Sequence, residues 1–274
     1  MFETEREVLD WYERQPRAIS PDFLAGIKWE DVKKHPLNPA FVPVLHYMRD
    51  VESYTAVYYR ELLRTPTGRD PVIRKFMDRW GVEEMDHGAL LNRFMEEAGV
   101  PTSPHWQEEA LAAIPLRYTL ENYAAMLVTN RFGRSFSGTH MVWGAINEMT
   151  TLQAYRRLWK AAGHPVLELV LRAIAREESA HGKFYASIAR LRLERSKFTR
   201  GLARFFVERF WGPVGQGTKP RSEMDYVIGA LFGGDDGLGF FDEQVSRRIR
   251  RLPGLDGLET LTRRMAESGA RAMA

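Results

Sequence analysis

Two Glu-x-x-His pairs constrain this chain more than any other feature. They are Glu84–His87, within Glu83-Glu84-Met85-Asp86-His87-Gly88, and Glu178–His181, within Glu177-Glu178-Ser179-Ala180-His181-Gly182. On a helix, positions i and i+3 lie on one face, one turn apart. A carboxylate and an imidazole placed this way can grip the same metal ion. Two such pairs imply two helices, each bringing half of a dinuclear site.

The surrounding periodicity places both pairs inside a core. The helix predicted over residues 71–98 carries an apolar stripe of Ile73, Phe76, Trp80, Leu91 and Phe94, with positions 84 and 87 in its middle. The helix predicted over 165–195 repeats this with Leu167, Leu171, Ile174, Tyr185 and Ile188 around 178 and 181. Steps of three and four mark a buried face. A charged Glu is rarely buried there unless it is paired or binds a metal. The same rule finds two further candidates. Glu52 interrupts the stripe Phe41, Leu45, Met48, Thr55, Tyr59 and Leu62 of a helix over 40–64, and Glu148 interrupts Met141, Ala145, Leu152, Tyr155 and Trp159 of a helix over 139–161. Glu61 competes with Glu52 on its helix but falls on a different face, beside Tyr54 and Tyr58. Four carboxylates and two imidazoles suit iron or manganese and disfavour sulfur-seeking metals. The other histidines, at 35, 46, 105, 140 and 164, lack a Glu three residues earlier and read as structural or solvent-facing.

The chain of 274 residues can bury a large core and reads as almost entirely helical, with an N-terminal helix over 2–14 and a helical extension over 196–274. Residues 105–131 hold one or two helices, Gly133 and Gly138 mark a break or kink, and two loops are expected at 212–217 and 233–237. There is no cysteine, which removes disulfides, thiolate nucleophiles and iron–sulfur clusters, so electrons for any redox chemistry must come from outside. No apolar stretch approaches the ~20 residues that cross a bilayer, and the acidic start Met1–Glu7 lacks a signal-peptide core, so the expectation is a cytoplasmic protein without membrane association. The net charge of +3 gathers its basic excess late, at Arg247, Arg248, Arg250, Arg251, Arg263, Arg264 and Arg271. That run is either a solvated face or a landing patch for an acidic partner. No groove-reading motif points to nucleic acid.

The residues resemble the soluble acyl-acyl-carrier-protein (acyl-ACP) desaturases, ferritin-like di-iron carboxylate proteins. Trp80-Gly81-Val82-Glu83-Glu84-Met85-Asp86-His87-Gly88 is similar to their Trp-x-x-Glu-Glu-x-x-His-Gly motif, Glu177-Glu178-Ser179-Ala180-His181 to their Asp-Glu-x-x-His, and Glu148-Met149-Thr150-Thr151 to their Glu-x-x-Thr. The order of the four helices between about 40 and 195 also fits, and Arg248-Ile249-Arg250-Arg251-Leu252 is similar to a basic segment of plant members. The resemblance implies an all-α fold with a ferritin-like four-helix core and additional helices packed on it, forming a single domain. It implies two iron ions, with Glu52 and His87 on one, Glu148 and His181 on the other, and Glu84 and Glu178 bridging. Thr151 would be a polar group near the oxygen site, and Trp80 would sit behind the metals as packing or as part of an electron route. Glu177 stands where the family has Asp, which supports a ligand histidine.

The implied activity is an O2-dependent oxidation that desaturates or hydroxylates an acyl chain on acyl carrier protein, with electrons from a ferredoxin-type donor and a homodimer as the assembly. Manganese or a mixed manganese–iron pair is compatible with the same donors. Rival expectations are a di-iron oxygenase acting on an amine or amino acid, a ferritin-like iron store, and a metal-free bundle that serves as a binding module.

Overall fold

The computed structural model describes residues 2–273, and no strand occurs among the described residues. Helix α1 spans Glu5–Glu13 and α2 spans Pro21–Gly26. Two long helices follow, α3 (Val42–Leu62) and α4 (Pro71–Glu97). The shorter α5 (Trp106–Ala112) and α6 (Leu116–Asn130) lead to a second long pair, α7 (Phe136–Ala162) and α8 (Pro165–Arg195). The C-terminal part contains α9 (Lys197–Phe210), α10 (Arg221–Phe232) and α11 (Gly234–Phe241). A π turn over Asp242–Ser246 joins α11 to the short α12 (Arg247–Ile249), and α13 (Thr260–Met273) is the last described helix.

Local chemistry sets the ends of the long helices. Asp70 caps α4 by accepting from the amides of Val72 at 3.0 Å and Ile73 at 3.4 Å, and Pro71 occupies the first helical position. His164 caps α8 through Nδ1, which accepts from the Leu167 amide at 3.2 Å, with Pro165 next. Gly163 ends α7 at φ +59°, a left-handed conformation that glycine adopts without a Cβ penalty. The turn between α7 and α8 is therefore tight, and the two helices run antiparallel in the most extensive pairing of the fold. The second is α3 with α4, and α4 meets α8 between the pairs. Gly144 allows α7 to ride directly on Tyr185 of α8, since a Cβ there would sit 2.3 Å from the Tyr185 ring. The predicted stripes are the buried faces: Ile73, Phe76, Leu91 and Phe94 of α4 and Leu167, Leu171, Ile174 and Ile188 of α8 are all inaccessible. Burying each such side chain contributes ~1.5–3 kcal/mol.

Two local expectations change and one is narrowed. The break before α7 lies at residues 131–135, around Gly133 at φ +55°, while Gly138 sits inside α7. Gly138 is there because α9 packs closely: a Cβ would come 2.4 Å from Thr199 Cγ2. Residues 105–131 form two helices, divided before Pro115. Residues 234–237 are the first turn of α11 rather than a loop, with Asp235 and Asp236 at the positive end of the helix dipole.

Candidate metal centre

Glu52 of α3, Glu84 and His87 of α4, Glu148 of α7, and Glu178 and His181 of α8 meet between the two helix pairs, and all six are buried. Their donor atoms fall into two groups, Glu52–Glu84–His87–Glu178 and Glu84–Glu148–Glu178–His181, within each of which the atoms lie within 4.8 Å of one another. Glu84 and Glu178 belong to both. Each imidazole also faces the carboxylate of the opposite helix. His87 Nδ1 lies 3.2 Å from Glu178 Oε1, and His181 Nδ1 lies 2.9 Å from Glu84 Oε1. Five atoms at this point are buried without a hydrogen-bond partner: Glu84 Oε1, both Glu178 carboxylate oxygens, and Nδ1 of His87 and of His181. A buried unsatisfied polar atom costs ~1–3 kcal/mol. Five of them converging on one place fit a cation that all can coordinate, so these groups can hold a metal ion.

A second layer fixes the imidazoles, and it is crossed. His87 of α4 meets Glu177 of α8, Nε2 to Oε2 at 3.0 Å, and His181 of α8 meets Glu83 of α4 at 2.7 Å. With Nε2–H donated outward to a carboxylate, the Nδ1 lone pair is directed inward. The longer Glu177 spans this gap where the resemblance has Asp. The N-terminal segment then anchors both outer carboxylates. The amides of Ala18 and Ile19 donate to Glu177 Oε1 at 2.7 and 3.2 Å. Arg17 Nε lies 3.1 Å from Glu177 and 3.3 Å from Glu83, Arg79 donates to Glu83 at 2.8 Å, and the Tyr12 hydroxyl donates to Glu83. Six buried carboxylates share this region with two guanidiniums, an excess of acidic groups that suits a cation.

The electrostatics follow from burial and crowding. Burial, and then repulsion from Glu84 and Glu178, push the Glu52 and Glu148 carboxyls well above the usual range. Glu84 and Glu178 feel the same burial, but the two imidazoles outweigh it and hold both below the usual range. His87 and His181 are raised well above an ordinary histidine: burial opposes this, and the surrounding carboxylates override it. Burial likewise raises Glu177, yet His87, the Ile19 amide and Arg17 bring it down to about 2.

The remaining candidates divide between the two halves. Trp80 Nε1 donates to Glu148 Oε1 at 3.1 Å, so this residue holds a candidate ligand as well as packing in the core. The Tyr155 hydroxyl does the same for Glu52. Thr151 is half-buried and lines a cavity of about 50 Å³ with Glu52, Met48 and Val51, closed by Val227, Ile228 and Phe232 of α10. The walls of this cavity are otherwise almost wholly apolar. Glu61 lies away from the centre and accepts from Asn122 at 3.1 Å. His140 is half-buried against Thr67, and desolvation lowers its pKa to about 3; His164 serves as the α8 cap.

Sequence reasoning passed over Glu83, Tyr12, Tyr155, Arg17 and Arg79. For Glu83 a signal existed, because it matches Glu177 in the repeated Glu-Glu-x-x-His. Arg79 carries one too, standing four residues before Glu83 on the same helix, whereas Tyr12 lies 71 positions from Glu83, Arg17 160 from Glu177 and Tyr155 103 from Glu52. The chain matches no protein-family model and no curated protein.

Proposed function

We propose that this protein is a ferritin-like di-iron oxidase that uses O2 to desaturate or hydroxylate an acyl chain presented on acyl carrier protein. The observation that carries the reading is the apolar cavity of about 50 Å³ lined by Glu52, one of the six candidate donors, where a hydrocarbon segment would lie beside the donor set. An apolar wall favours a C–H-rich substrate over an amine or amino acid, whose polar groups would be buried there without partners.

The chain's own residues divide the work. Glu52 and His87 would hold one iron, Glu148 and His181 the other, and Glu84 and Glu178 both. Such a pair, when bound, supplies the electrons and Lewis acidity that activate O2. Glu177 and Glu83 keep the imidazoles oriented. Thr151 offers a hydroxyl on the cavity wall where a proton can be passed, and the apolar residues around it exclude water. Trp80 holds Glu148 in place, and electrons from an external donor of the ferredoxin type would pass through or beside it. A homodimer has a candidate surface on α6, where Leu116, Leu120 and Leu127 are 73%, 61% and 70% exposed along one face. Among the described residues no helix is long and apolar enough to cross a membrane.

The test is anaerobic loading with Fe(II), followed by O2 uptake with and without an acyl carrier protein charged with chains of several lengths. The expected result is about two irons per chain and an altered acyl product. Tens of irons per chain would indicate storage instead, and O2 uptake that leaves every acyl chain intact would rule out the acyl substrate. Elemental analysis of the protein as isolated separates iron from manganese.

A further inference from the structure

A second concavity lies on α7 beyond the metal centre, and nothing in the proposed chemistry has yet used it. It is a groove of about 520 Å³, open to solvent and within the size range of small-molecule sites. Arg156, Arg157 and Lys160 of α7 and Arg172 of α8 line it, with Phe240 of α11. Arg157 stacks on Phe240 at 5.4 Å, and Arg172 stacks on Trp159 at 4.9 Å and pairs with Glu168. Arg156, Arg157 and Lys160 have no carboxylate within ion-pair distance among the described residues. Arg156 is half-buried, and burial together with the neighbouring charge of Arg248 lowers its pKa. Cations near a helix C-terminus are ordinary. A half-buried guanidinium crowded by like charge, with only a Gln153 contact at 3.4 Å, is not.

The groove and the cavity beside Glu52 follow one another along a single stripe. Thr150, Ala154 and Arg157 are spaced i, i+4, i+7 on α7, and the first two line the cavity while the third lines the groove. Phe232 closes the cavity and Phe240 the groove, on consecutive helices. Arg157 lies six positions after Thr151 on α7, which is about 9 Å at the helical rise.

We propose that this groove binds the phosphate head of an amphipathic substrate whose apolar chain enters the cavity beside Glu52 and Thr151. Guanidinium forks match phosphate oxygens, several cations favour a doubly charged head, and the stacked rings leave an apolar floor for the start of the chain. The second half of the proposal rests on the oxidase reading; the binding of phosphate does not. Two sources present this chemistry: a free alkyl phosphate, and the phosphate of a carrier protein's prosthetic arm.

The experiment titrates the metal-loaded protein with decyl phosphate, decanol, inorganic phosphate and a decanoylated carrier protein, without O2. Decyl phosphate should bind more tightly than decanol or phosphate alone if the free ester is the source, and the carrier protein should bind instead if the arm is. Whichever binds should weaken at least about tenfold in Arg157→Glu with Lys160→Glu, the loss of roughly one charge-assisted contact. Both residues lie outside the metal ligands, and the exposed Lys160→Glu alone, expected to fold normally, should show a smaller loss in the same direction. Thr151→Trp, which fills the cavity, should weaken decyl phosphate and leave inorganic phosphate unchanged. Binding of every probe that ignores the charge reversals would overturn the groove. Reversal-sensitive binding without any oxidation on admitting O2 would leave the groove standing and remove the oxidase.

Discussion

The two halves of the candidate metal centre are built from the same residue types and yet sit in different surroundings. The Glu52 half has a tyrosine hydroxyl behind its carboxylate and an apolar cavity in front, with Thr151 on the wall. The Glu148 half is held by the Trp80 indole and walled by stacked rings: Phe76 lies 3.8 Å from Phe184, and Tyr12 and Phe76 both lie against His181. Pseudo-symmetric helix pairs thus deliver an asymmetric site, with an apolar cavity on one side and packed aromatic rings on the other. The lesson is that ligand identity follows the repeated motif, whereas access follows whichever helices happen to cover each end.

Substitutions of the shared and unshared ligands test that comparison most severely. Glu178 belongs to both donor groups, so Glu178→Ala should reduce bound metal from about two per chain to essentially none, read by elemental analysis. Glu52→Ala and Glu148→Ala should each remove one metal far more than the other. Equal loss of both metals from all three variants would mean that the halves do not act separately.

The supports come next in size. Tyr155→Phe should loosen the metal held with Glu52, and Trp80→Phe the metal held with Glu148, each by roughly 10–100-fold in affinity. Competition with a chelator measures this. A Trp80→Phe variant with unchanged metal affinity would reduce Trp80 to packing.

Proton competition gives a smaller, graded effect. In metal-free protein the folded-state pKa values of His87 and His181 lie above the ordinary value of 6.5, so their contacts with carboxylates stabilise fully below that pH. That stability is lost as pH rises through the folded pKa. Metal binding requires neutral imidazoles and releases protons, so apparent affinity rises over the same window. Thermal melting from pH 6 upward should therefore destabilise the chelated protein while the loaded protein holds its melting temperature. Parallel melting curves would contradict the assignment of these imidazoles to metal.

The smallest expected change is Thr151→Val, which replaces a half-buried hydroxyl on the cavity wall. Metal content should stay at the wild-type level, and folding stability should shift by about 1 kcal/mol or less. The yield of oxidised product per O2 consumed should fall. An unaltered yield would leave Thr151 as wall only.

Periodicity alone located Glu52 and Glu148, because a carboxylate in an apolar stripe is a local contradiction that any single helix exhibits. It also rejected Glu61, which lies off the stripe and away from the centre. Helix ends were legible where Asp70-Pro71 and Gly163-His164-Pro165 announce them, and illegible at 233–237, where glycines that look like a loop serve to start a helix. The cavity could not be foreseen, since α10 covers it from far along the chain.

The sequence by itself determined which side chains can be ligands, through helical spacing that repeats every turn and needs no knowledge of neighbours. Tertiary structure decided what those ligands experience. The crossing of α4 and α8 sets Glu83 on His181 and Glu177 on His87, and the N-terminal segment brings Tyr12, Arg17 and the amides of Ala18 and Ile19 onto the same two carboxylates. Those contacts join positions tens to more than a hundred residues apart, where no periodicity operates. Charge balance and access at the centre are therefore properties of how the helices pack, while its donor set is a property of the helices themselves.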